Sequence, residues 1–258
     1  MLKTTLKIII LAIAVSSCEN VQKEYPTMGN IEILDPAMQK IVNPDAKIEK
    51  LADGMVWAEG PVWVNEGNFL LYSDTRQNII YKWSEKDGLQ QFIKPAGFQG
   101  PEIYSEEEGT NGLLINEKGY LIACDHGNRR IAKINLKSKH VQTLVDRWEG
   151  QKFNSPNDIC QHPSGEYYFT DPPYGLPARE QDTTTREIAE NGVYKVDNKG
   201  IVTQVISNLE RPNGIALSAE ADKLYVALSD GDNPYIMVYN IKDDEILGEG
   251  SIFFDFKK

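Results

Sequence analysis

A short motif recurs four times along the chain: Glu59-Gly60-Pro61, Asn111-Gly112, Asn157-Asp158 and Asn213-Gly214, each placed just before an apolar strand and a turn. The copies begin at residues 59, 111, 157 and 213, intervals of roughly 46–56 residues that suit a four-stranded propeller blade and exceed a solenoid repeat. Aligned on it, the segments Phe69–Asp74, Tyr120–Asp125, Tyr167–Asp171 and Leu224–Ser229 read as second strands, and Ile79–Trp83, Arg130–Ile134, Gly192–Val196 and Ile236–Asn240 as third strands. From about residue 47 the text alternates short β-branched and aromatic runs with Gly, Asn and Asp turns, so the fold class is all-β. The third copy carries an insertion, Pro177 to Glu190, that reads as a loop or short helix on one face.

If the first strand of every blade lines a central channel, Glu59, Asn111, Asn157 and Asn213 converge there. One carboxylate with several amide oxygens suits a hard divalent ion: Ca2+ first, then Mg2+, with Mn2+ and Zn2+ as the remaining alternatives. Asn-Gly and Asn-Asp are also ordinary turn formers, so any one copy is explained as a loop residue; four in register are not.

A net charge of −11 argues against a phosphate backbone as partner, so no nucleic acid is expected. Residues 1–17 read as a lipoprotein signal peptide: Lys3 and Lys7 precede the apolar run Ile8 to Val15, too short to span a bilayer. Val15-Ser16-Ser17-Cys18 resembles a lipobox, with Cys18 the lipidated residue and the only link to a membrane. Residues 18–46 read as a tether and 47–258 as the propeller domain, on an exported periplasmic or cell-surface lipoprotein. Cys124 and Cys160 lack C-x-x-C spacing and read as buried thiols.

The combination Ala58-Glu59-Gly60-Pro61-Val62-Trp63, Ser155-Pro156-Asn157-Asp158, Phe169-Thr170-Asp171-Pro172-Pro173-Tyr174-Gly175 and Arg211-Pro212-Asn213-Gly214-Ile215-Ala216-Leu217-Ser218 resembles the gluconolactonase and senescence-marker-protein (regucalcin-like) family over residues 47 to 258. The resemblance implies a six-bladed β-propeller with a divalent metal in its channel, a carboxylic-ester hydrolase acting on a lactone or sugar-acid substrate. It carries the metal ligands onto Glu59, Asn157 and Asn213. A further ligand, the Asp of a Pro-Asp-Gly motif usually assigned as general base, is expected beyond residue 258, so the chain reads as C-terminally truncated to about four blades, its activity impaired. Residues 48–52 are then expected to pair with a last blade. Asp158 is the fallback catalytic residue; Asn111, His126, Arg129 and Tyr174 are candidate substrate contacts. Where the regucalcin-like subgroup binds sugar hydroxyls with an Arg and a Glu, this chain has Ser155 and Gly175. Competing readings are a phosphotriesterase-like hydrolase and a surface-anchored, non-catalytic propeller that binds carbohydrate or protein.

Overall fold

The computed structural model describes residues 24–243 and 245–257. The expected signal peptide at 1–17 and the expected lipidation site Cys18 lie outside the described residues. The chain divides into two compact units, one ending at Leu51 and one running from Ala52. In the first, Pro36–Lys40 forms a 3-10 turn capped by the Asp35 side chain, which accepts from the Ala37 N–H. An antiparallel bridge pairs Thr27 with Glu49, with the Met28 N–H donating to the Ile48 carbonyl and the Lys50 N–H to the Pro26 carbonyl. Among the described residues no helix is long and apolar enough to cross a membrane.

The second unit holds four sheets of four antiparallel strands, each in chain order. The first comprises β1 (Ala58–Val64), β2 (Phe69–Asp74), β3 (Ile79–Ser84) and β4 (Gly88–Ile93). The second comprises β5 (Thr110–Ile115), β6 (Leu121–Asp125), β7 (Arg130–Ile134) and β8 (Val141–Val145). A two-residue hairpin follows, β9 (Arg147–Trp148) with β10 (Gln151–Lys152). The third sheet is β11 (Ile159–Gln161), β12 (Tyr167–Asp171), β13 (Gly192–Val196) and β14 (Val202–Ile206). The fourth is β15 (Pro212–Leu217), β16 (Lys223–Leu228), β17 (Tyr235–Lys242) and β18 (Glu245–Asp255).

Three apolar cores lie between successive sheets. Leu71 and Ile80 meet Leu113, Leu121 and Ile134 between the first and second. Ile122, Cys124 and Ile131 meet Phe153, Phe169 and Tyr194 between the second and third. Tyr168 and Val193 meet Ile215, Leu224, Val226 and Tyr239 between the third and fourth. The first strands lie side by side: β1 against β5, β5 against β11, β11 against β15. Cys124 is buried, Cys160 partly buried, and both are free thiols.

The repeated motif is not a turn ahead of a strand. In three sheets it is a β-bulge inside the first strand: pairing shifts register between Glu59 and Val62, between Thr110 and Leu113, and between Pro212 and Ile215. A bulge inserts one unpaired residue and re-aims the neighbouring side chain. In the third sheet Asn157 and Asp158 pair with Thr170 just ahead of β11. Close approach explains the glycines: a Cβ on Gly60 would collide with the Asn111 carbonyl and Gly112 Cα, and one on Gly112 would come 2.7 Å from the Asn157 carbonyl oxygen.

Candidate metal and substrate site

Each motif asparagine is held through its main-chain carbonyl by the preceding sheet. The Ser73 hydroxyl donates to the Asn111 carbonyl at 2.8 Å, the Gly112 N–H to Asn157 at 2.7 Å, and the Thr170 hydroxyl to Asn213 at 2.7 Å. The four motif side chains therefore arrive at one place. Glu59, Asn111, Asn157 and Asn213 line a single cavity of about 430 Å³, together with Trp57, Glu107, Tyr174, Arg179, Glu180, Arg211 and Ser229.

The amides are oriented by their nitrogens. Asn213 Nδ2 donates to Ser229 Oγ at 2.9 Å, and Asn157 Nδ2 lies 3.4 Å from His126 Nε2. With these two nitrogens held, the Oδ1 atoms of Asn157 and Asn213 are left as acceptors for the cavity. Glu59 Oε1 accepts from the Trp57 indole N–H at 3.0 Å. Burial raises the Glu59 pKa; the indole bond acts the other way, and the Asp158 charge adds to the rise. A cation placed beside Glu59 reverses that desolvation penalty. One carboxylate and up to three amide oxygens, with no sulfur or imidazole lining the cavity, fit a hard divalent ion. Among the described residues no three or more His, Cys, Asp and Glu side chains cluster for a metal; a set built on amides lies outside such a grouping.

The rim is charged and paired. Arg179 Nη2 reaches Glu107 at 3.0 Å and Glu106 at 2.9 Å, and Arg211 Nη2 reaches Glu180 at 3.0 Å. Burial raises the Glu107 pKa against the opposing pull of Arg179 and Arg76. Arg179 and Arg211 both adopt positive φ, 50° and 48°, a conformation uncommon for side chains of this size and concentrated at functional positions. Tyr174 lines the cavity as expected and donates its hydroxyl to the Arg211 carbonyl at 3.3 Å; burial pushes its pKa up to about 12.

Three of the candidate residues do not line the cavity. Arg129 is not a cavity residue: it is 5% exposed, and its guanidinium donates to the carbonyls of Phe153, Thr185 and Lys152. It ties the β9–β10 hairpin region to the insertion. Asp158 has both oxygens on main-chain donors, Oδ1 on Ile159 N–H at 2.9 Å and Oδ2 on Ile215 N–H at 3.0 Å, so it joins the third sheet to the fourth. His126 is not at a channel mouth but fully buried, beneath Asn157 and against Gly175.

Sequence reasoning missed Trp57, Glu107, Arg179, Glu180, Arg211 and Ser229 as lining residues. The insertion was the available signal for Arg179 and Glu180. Arg211 sits one residue ahead of Pro212-Asn213, inside the motif that was read for its asparagine.

Residues 57–258 match the family described as SMP-30/Gluconolactonase/LRE-like region. A gluconolactonase from Zymomonas mobilis is 37% identical over 234 residues, covering 90% of this chain and 65% of that protein. Among solved structures, a gluconolactonase from Xanthomonas campestris superposes with a TM-score of 0.72 at 25% identity, over 90% of this chain and 71% of the other. A regucalcin from Agrobacterium tumefaciens, a calcium-binding protein, superposes at 0.58 and 15% identity over 79% and 62% of the two chains, a likeness of fold. The chain thus spans somewhat less than two thirds of the Zymomonas protein's length. The match over residues 57–258 places it in a family: this chain belongs to the SMP-30/gluconolactonase/LRE-like family.

Proposed function

We propose that the protein is a metal-dependent hydrolase of a lactone, built on a β-propeller whose blades are the four sheets, six in the complete ring. The convergence of Glu59, Asn111, Asn157 and Asn213 on one cavity carries this reading, and the gluconolactonase names of the Zymomonas and Xanthomonas relatives support the substrate class. Glu59, Asn157 and Asn213 would hold the ion, with Ca2+ favoured by the all-oxygen set. A divalent ion there supplies Lewis-acid polarisation of a carbonyl oxygen and charge to meet a developing oxyanion.

The chain's own contribution is orientation and exclusion of water. Ser229 and His126 hold the amide nitrogens so that oxygens face the cavity. Trp57 fixes the Glu59 carboxylate and supplies an aromatic wall. The Arg179–Glu107 and Arg211–Glu180 pairs offer fixed donors and acceptors to ring hydroxyls of a bound lactone. Asn111 and Tyr174 complete the lining as substrate contacts. Asp158, with a main-chain donor on each oxygen, braces the third sheet against the fourth.

The test is proton release from a panel of five- and six-membered lactones with and without Ca2+ on the full chain. Metal-dependent turnover is expected, with Glu59→Gln and Asn213→Ala each losing more than about 100-fold. Full rate in either variant removes the site, and ion retention without turnover on any lactone favours a binding module. We propose further that the chain is exported and lipidated at Cys18; incorporation of a fatty-acid analogue that Cys18→Ala does not abolish would refute this.

A further inference from the structure

His126 follows β6 directly and is wholly buried. Its ring is wedged under the segment that leads from β12 into the insertion: a Cβ on Gly175 would sit 2.6 Å from His126 Cβ and 2.8 Å from Cγ, so the segment can close over the imidazole only with glycine there. Nε2 faces Asn157 Nδ2 at 3.4 Å. A carboxamide nitrogen has only protons to offer, so Nε2 is the acceptor and the ring proton sits on Nδ1. That nitrogen makes no hydrogen bond of good geometry; Glu107 Oε2 faces it at 3.8 Å, and the Glu107 main chain lies against the ring as an acceptor. Glu107 is held in turn by Arg179 at 3.0 Å. Polar groups therefore lead from the rim, Arg179 to Glu107 at 3.0 Å and then across a 3.8 Å gap to His126, whose other nitrogen faces a motif asparagine.

We propose that His126 is a positioning residue for the ion: by accepting the Asn157 amide proton at Nε2 it keeps the Asn157 carbonyl oxygen turned into the cavity. This rests on the reading of Asn157 as an oxygen donor to a divalent cation. A carboxamide has two faces of opposite chemistry. Without a fixed acceptor behind it, the group can turn over and present an N–H to the cation, which repels it. Partners behind metal ligands commonly set affinity in this way. The role differs from a substrate contact, because the ring does not line the cavity.

The experiment measures Ca2+ binding to the full chain by calorimetry, with thermal unfolding in the absence of metal as a check of folding. His126→Leu is expected to weaken Ca2+ binding by about 10- to 100-fold, whereas His126→Gln, whose Oε1 can accept the same amide proton, stays within a few-fold of wild type. Long-range 1H–15N NMR of the wild-type chain reads the tautomer without any substitution and decides the matter if His126→Leu does not fold. A proton on Nδ1 is expected; a proton on Nε2 means that Asn157 turns its oxygen toward the ring, and overturns the proposal. Wild-type affinity in a folded His126→Leu overturns it alone, while a wild-type chain that binds no Ca2+ overturns the metal reading together with it.

Discussion

Gly112 and Gly214 occupy the same place in the same Asn-Gly motif, yet their surroundings differ. Gly112 is pressed against the third sheet, with the Asn157 carbonyl oxygen and Asp158 Oδ1 both 2.7 Å from where a Cβ would stand. Gly214 meets nothing closer than Ala227 Cβ at 3.7 Å. The contrast extends through the modules. In the second and third sheets, β6 is buried throughout and β12 nearly so. In the fourth, β16 alternates buried with half-buried positions, and β18 leaves Ile252, Phe253 and Phe254 exposed. Similar strand text thus gives different burial, because a blade is dry only where sheets cover both of its faces.

The largest expected effect contrasts two phenylalanines. Phe169 lies between Phe153, 5.0 Å away edge-on, and Tyr194, 5.5 Å away and stacked. Phe169→Ala should lose about 3–5 kcal/mol of unfolding free energy, and Phe254→Ala under about 1 kcal/mol. Equal losses in denaturant titrations would erase the distinction between covered and open modules.

Next comes pH. Asp171, fully buried, is pushed up to about 7 by burial, against the pull of the Asn154 and Ser155 N–H groups and of Arg129 and Arg186. The folded chain holds this proton more tightly than the unfolded chain, whose carboxyl titrates near 3.8. The contribution is therefore fully present below about 3.8 and lost as pH rises through about 7, on the order of 4 kcal/mol in all. The fourth sheet has Ser229 at the matching position and so no carboxyl to titrate there. Asp171→Asn should gain stability relative to wild type between pH 5 and pH 8; a difference independent of pH would show that the carboxyl is charged throughout.

The smallest effect sharpens the glycine pair itself. Gly112→Ala should cost about 1–3 kcal/mol by forcing the second and third sheets apart. Gly214→Ala should be neutral or stabilise by a few tenths of a kcal/mol, since alanine restricts the unfolded chain. Matched melting curves of the two variants check this.

Much of the architecture was legible because strand alternation and motif register are local properties of the text. The starts at 59, 111, 157 and 213 fall on or beside β1, β5, β11 and β15, and their side chains meet in one cavity. What local text does not carry is the direction of a side chain leaving a loop. His126 and Arg129 lie in one turn and read alike as polar loop residues; burial beneath the β12–β13 connection, at Gly175 and at Thr185, gives both of them to the interior. Asp158, beside Asn157, is turned away because neighbouring residues of an extended segment point to opposite sides, and Ile215 N–H waits on the far one. Glu107 comes from the loop between β4 and β5, which has no periodicity to read.

The carbonyl clamps have a further consequence. Since Ser73, Gly112 and Thr170 grip the backbone of the very residues whose side chains face the cavity, the seam between two sheets and the spacing of the donor oxygens are one mechanical degree of freedom. If the proposed ion binds there, a substitution that loosens a seam far from the cavity should blunt ion selectivity before it lowers the melting temperature, because an oxygen cage fails at displacements of tenths of an ångström while an apolar core still holds.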